Sequence, residues 1–156
     1  MTTTQGAPLL AHSEATFTFT LEAPTDVVAP LFGAHQERLW ASDWDPRFLH
    51  PVPAADREGM VFTVAHPEGE SVWVNTRFDL AGGLVQYTYV LPAVMATRIT
   101  IRIAAKGRQT QVDVRYDRTA LRPENDDRVR RLSEADRDSG PEWKSLIVAH
   151  LQGMGH

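Results

Sequence analysis

Residues Met95–Leu121 read MATRITIRIAAKGRQTQVDVRYDRTAL, and this stretch sets the architecture of the chain. Thr97, Ile99, Ile101 and Ile103 alternate with Arg98, Thr100 and Arg102, the period of two that an extended strand presents. Lys106-Gly107-Arg108 then reverses the chain. On the return, Val112, Val114 and Tyr116 share a face, and parity carries Arg118 to the same side. Two amphipathic strands joined by a tight turn make an antiparallel pair with one dry and one wet face.

The same pattern extends outward from this hairpin. Leu84 to Leu91 is a strand ended by Pro92, and Ser71 to Leu80 is one closed by Ala81-Gly82-Gly83. Met60, Phe62 and Val64 alternate ahead of the turn His66-Pro67-Glu68-Gly69. These five strands form a meander. Nearer the N-terminus, Ala15, Phe17, Phe19 and Leu21 alternate with three threonines and Glu22, giving a sixth strand. Ala23-Pro24-Thr25-Asp26 stops it and offers Thr25 as an N-cap, after which Val27, Val28, Leu31, Phe32 and Leu39 follow at helical spacing.

From Glu124 the chain is helical in composition, with Val129 and Leu132 on an apolar stripe. Ser139-Gly140-Pro141 interrupts it, and proline there either kinks the helix or restarts it with Ser139 or Gly140 as a new N-cap. Trp143, Leu146, Ile147 and Leu151 then resume the apolar face. The expected fold is α+β: a curved antiparallel sheet of about six strands wrapped around a long C-terminal helix. A short helical region follows the first strand. One domain is expected over residues 12–152, behind a small, polar, disordered tail at 1–11.

Composition narrows the function classes. The net charge is −4, and Arg128, Arg130 and Arg131 are interleaved with acidic residues as on a solvated helix face. That argues against a nucleic-acid partner. There are no cysteines, hence no thiolate zinc site and no cysteine nucleophile. The first residues lack the features of a signal peptide, and no segment approaches a membrane span, so a cytoplasmic location is expected.

The ordered set of pieces resembles a known superfamily. The pieces are LEAPTDVVAPLF at 21–32, RLWASDWDPRFL at 38–49, GMVF at 59–62 and SVWVNTRFD at 71–79. TRITIRI at 97–103, VDVRYDRTAL at 112–121 and EWKSLIVAHL at 142–151 complete it. Together they resemble the START-like or SRPBCC superfamily, the helix-grip fold of the birch-pollen allergen, in particular its bacterial polyketide-cyclase-like proteins. The resemblance implies a hydrophobic pocket between sheet and last helix. Its members bind lipids, steroids, polyketides or hormones, and some are cyclases, dehydratases or chaperone co-activators.

The stretch RLWASDWDPRFLHP at 38–51 carries the densest candidate chemistry. Asp43 and Asp45 have the D-x-D spacing of some metal sites, but only His50 stands near as a third ligand. Asp45 before Pro46 suits a helix N-cap instead, and no metal is expected. Trp40 and Trp44 either plug one end of the core or line the pocket with an indole N–H aimed at a ligand. The histidines are scattered, and His66 is the one whose parity points inward. Arg118 is expected to snorkel to the pocket rim. Along 71–80 the more apolar set, Val72, Val74, Thr76, Phe78 and Leu80, is expected inside, with Trp73, Asn75 and Arg77 outside.

The expected pocket is lined by Trp40, Trp44, Phe62, Val64, Val74, Phe78, Ile99, Ile101, Tyr116, Trp143 and Ile147. Thr76, His66, Tyr116 and Arg118 are its polar groups. The resulting expectation is a binder of a small apolar or amphipathic molecule that needs no cofactor. One alternative is a cyclase or dehydratase with His66 or Tyr116 as acid–base group and Arg118 stabilising an enolate. Another is a protein-interaction module with a filled core and an exposed apolar patch.

Overall fold

Seven antiparallel strands make one sheet in the computed structural model, which describes residues 9–155. They are β1 (His12–Leu21), β2 (Arg47–His50), β3 (Val61–His66), β4 (Gly69–Asp79), β5 (Leu84–Leu91), β6 (Met95–Lys106) and β7 (Gln109–Ala120). The spatial order is β1-β7-β6-β5-β4-β3-β2. The five-strand meander expected from alternation is β3 to β7, and β1 returns to pair with β7, Phe17 facing Val114. Residues 1–8 of the expected disordered tail lie outside the described residues. Ala11 is buried, its N–H donating to Asp126 Oδ1 at 2.8 Å and its carbonyl accepting from Ala120 at 2.8 Å.

The seventh strand corrects the reading of Asp45-Pro46. No helix starts there: Asp45 is exposed, and β2 follows directly. The strand pairs Phe48 with Phe62 of β3, their ring centroids 5.8 Å apart, and this aromatic contact outweighs a short capped helix. The region after β1 differs too. Instead of one helix there are α1 (Thr25–Val28), capped at Pro24 rather than Thr25, and 3₁₀ turns at Ala29–Phe32 and Gln36–Leu39. Pro30 lacks the N–H that would continue α1, so the chain tightens into 3₁₀ form.

The C-terminal helical segment takes the restart option. α2 (Asp126–Arg137) and α3 (Gly140–Gly153) are separate helices, and the Trp143 N–H donates to the Ser139 carbonyl at 3.1 Å. Both helices pack against β1. Between sheet and helices lie Leu21, Phe32, Met60, Phe62, Leu91, Val112, Val114 and Ile147, each under 2% exposed. Burying such side chains contributes roughly 1.5–3 kcal/mol apiece. No helix among the described residues is long and apolar enough to cross a membrane.

β4 is turned the opposite way from expectation. Ser71, Trp73 and Asn75 are buried on the inner face, whereas Val72 is 44% exposed. The register explains it: Trp73 lies opposite Phe62 and Tyr89, and stacks on Tyr89 at 4.2 Å. Val74 and Thr76 therefore face outward, and the Thr76 hydroxyl bonds Gln86 Oε1 at 2.9 Å. A bulge between Asn75 and Arg77 then flips the parity. Phe78, opposite the buried Val85, returns to the core side while Arg77 stays exposed.

Candidate functional site

The segment 29–44 folds over one end of the sheet and is held by its own tryptophans. Trp40 Nε1 donates to the Leu31 carbonyl at 2.7 Å and Trp44 Nε1 to the Ala34 carbonyl at 2.9 Å. Each indole satisfies a backbone acceptor that the irregular chain would otherwise bury unpaired. Trp40 then packs on Phe32 and on Trp143 of α3, with centroids 6.0 and 5.6 Å away. Trp44 meets Trp73 edge-on at 5.4 Å.

These contacts leave a partly enclosed cavity of about 240 Å³ between the sheet, the 37–44 segment and α3. All four tryptophans of the chain line it, together with Tyr87, Tyr116, Ile99, Ile101 and Leu146. Trp40 and Trp44 thus both brace the segment and face the cavity, so the plug and the pocket wall are one structure. Glu37, Ser42, Asp43 and Glu142 supply the polar lining, with Ala41 between them. Asp43 sits at φ 61°, a left-handed conformation that aspartate tolerates, at the turn on the cavity rim.

Of the expected pocket residues, Trp40, Trp44, Ile99, Ile101, Tyr116 and Trp143 line this cavity. Phe62, Val64, Phe78 and Ile147 belong to the surrounding core instead. Val74 and Thr76 are on the outer face, for the reason of register given above. His66 is not at the cavity. Its Nε2 shares a 2.8 Å hydrogen bond with the Ser71 hydroxyl, which also accepts from Trp73 Nε1 at 2.8 Å. It therefore steadies Trp73 from behind.

Arg118 does not reach the rim. It is 7% exposed, forms two hydrogen bonds with Asp136 of α2 at 2.7 and 2.9 Å, and donates to the Tyr89 hydroxyl at 2.7 Å. An inward arginine must find a carboxylate, and α2 brings one. Its guanidinium lies 4.7 Å over the Tyr116 ring. Tyr116 and Arg118 are therefore in contact, while His66 lies apart at Ser71, so the three candidate acid–base and enolate groups do not all converge. Asp43, Asp45 and His50 also form no ligand cluster. The one grouping with metal-ligand spacing among the described residues is His12, Glu14 and Asp117, and arginines 98 and 115 already pair with Asp117.

Glu37 is the residue that sequence reading missed. Its carboxyl is raised to about 8, first by burial and then by the Asp56 carboxylate. Asp56 accepts the His35 and Gln36 N–H groups at 2.7 and 3.1 Å, so its charge is fixed in place. Burial also pushes the Tyr87 hydroxyl well up, with Glu37 adding, and raises that of Tyr116. Tyr87 donates to the Phe32 carbonyl at 2.7 Å. In sequence, Glu37 stands in the polar run HQER, where nothing separates it from a solvated residue.

Comparison with solved structures places this geometry in a fold class. The chain matches norcoclaurine synthase from Thalictrum flavum with a TM-score of 0.63 at 12% identity, over 100% of this chain and 97% of that one. It matches the Mll3558 protein from Rhizobium loti with a TM-score of 0.66 at 16% identity, covering 90% and 98%. Ginseng major latex-like protein 151 from Panax ginseng gives 0.62 at 12% identity, covering 92% and 97%. No protein-family model and no curated protein sequence matches the chain. The chain shares the helix-grip fold of these three proteins.

Proposed function

We propose that this protein binds a small, largely apolar molecule in the cavity between the sheet and α3. The observation that carries this reading is the convergence of all four tryptophans and two tyrosines on one cavity. Apolar walls with a few polar groups are what small-molecule sites share. At about 240 Å³ the space lies below the roughly 300–1,000 Å³ of drug-sized pockets, so a compact ligand of about one ring suits it. A one-ring aromatic probe should quench the tryptophan emission saturably. Ala41→Phe, which fills the cavity from its wall, should abolish the response. No saturable response across a broad panel would sink the proposal.

A second reading, a cofactor-independent proton-transfer enzyme of cyclase or dehydratase type, is favoured by Glu37 rather than by His66 or Arg118. A carboxyl held near neutrality beside a ligand space is suited to general acid–base work. In that case Glu37→Gln removes turnover of a bound substrate while leaving its affinity within a few fold.

A further inference from the structure

The cavity walls are unbalanced in charge and in hydrogen-bonding capacity. Glu37, Asp43 and Glu142 bring three carboxyl groups to them, and none of the lining residues is lysine, arginine or histidine. Arg118, behind Tyr116, is already held by Asp136. Most donors of the wall are engaged as well, Trp143 Nε1 being the indole N–H without a partner among the described residues. Three indole N–H groups donate to Leu31, Ala34 and Ser71, and the Tyr87 hydroxyl donates to Phe32. What remains facing the space is aromatic π surface, carboxyl groups and the Trp143 indole N–H, with the Ser42 and Tyr116 hydroxyls able to accept as well as donate.

Such a wall suits one kind of occupant. An anion or a carbonyl compound would find few donors and three potential negative charges. A cation finds aromatic faces, whose quadrupole attracts it, and carboxylates to balance it. We infer that the cavity takes a small organic cation, a quaternary ammonium or a protonated aromatic amine, seated against the tryptophans and balanced by Glu37 and Glu142. The inference rests on the cavity being a binding site and names the chemistry of its occupant. Glu37 sits beside Asp56 with no cationic side chain paired to it, so it keeps its proton in the empty cavity and can release it to balance a bound cation.

Phenyltrimethylammonium and tert-butylbenzene have the same shape and differ in charge. Both are titrated into the full chain at low salt, with tryptophan emission as the readout. The cation should bind at least about tenfold more tightly than the neutral probe, as a desolvated aromatic site allows. In the Glu37→Gln/Glu142→Gln variant that preference should collapse while affinity for the neutral probe stays within about twofold, which also reports an intact cavity. Equal affinities in the unaltered protein overturn the inference and leave the cavity a binding site for neutral molecules. A preference fully retained in the double variant overturns the role of the two carboxylates. Failure of both probes to bind overturns the inference together with the proposed function.

Discussion

A carboxyl group packed among aromatic rings holds its proton at neutral pH unless a cation compensates it, and Glu37 is in that position. Burial and the Asp56 carboxylate raise it from 4.5 to about 8. The folded protein therefore keeps a proton that the unfolded chain releases. The stabilisation is complete below about pH 4.5 and is lost as pH rises through about 8. At ~1.36 kcal/mol per unit, discounted for partial exposure, the loss is on the order of 2–3 kcal/mol. Glu37→Gln removes the titration. Urea midpoints should then fall less between about pH 6 and 9 in the variant than in the unaltered protein. Equal slopes would show that Glu37 titrates as an exposed glutamate. Nothing in HQERLW announces this behaviour, because it depends on burial in the assembled fold and on Asp56 arriving from another part of the chain.

Strands and helices were legible wherever their period is local, and misread wherever a distant partner decides. Alternation located β3 to β7, yet the choice of inner face failed in β4. Apolarity favoured the valines, while the register gave the inner face to Trp73 so that it could stack between Phe62 and Tyr89. The bulge at Thr76, which carries no mark in the sequence, then re-aimed Phe78. α2 hides its key residue in a similar way. Its charged composition reads as solvated, but Val129, Ser133 and Asp136 share a buried stripe at spacings of four and three. Asp136 is there to meet Arg118, clamping β7 to the helix. Removing one partner of such a pair strands the other charge, so Asp136→Ala should cost about 3–5 kcal/mol. Arg118→Met/Asp136→Leu should recover most of that in urea unfolding. A single-variant cost under about 1 kcal/mol would mean that the pair is a surface contact in solution.

At the level of the whole molecule the topology was readable and the cavity only in part, six of its lining residues being among those expected. Hairpins are specified by neighbouring residues, but an empty volume is set by how sheet curvature, the irregular 29–44 segment and the break before α3 combine. Trp40, Trp44, Trp73 and Trp143 come from three separate segments, and only the assembled fold makes them one wall. This has a thermodynamic consequence, since an occupant of the cavity touches β4 to β7, the 37–44 segment and α3 together and so stabilises them as a unit. A ligand at 100 times its Kd raises the unfolding free energy by about 2.7 kcal/mol. For a chain of 156 residues, at roughly 2–4 °C per kcal/mol, Tm should rise by about 5–10 °C. Ala41→Phe should show no ligand-induced rise, because its own side chain takes the space. A rise of equal size in that variant would place the ligand elsewhere. The outer-face groove between Arg98, Arg102 and Arg115, polar where the cavity is aromatic, is the alternative site that such a rise would indicate.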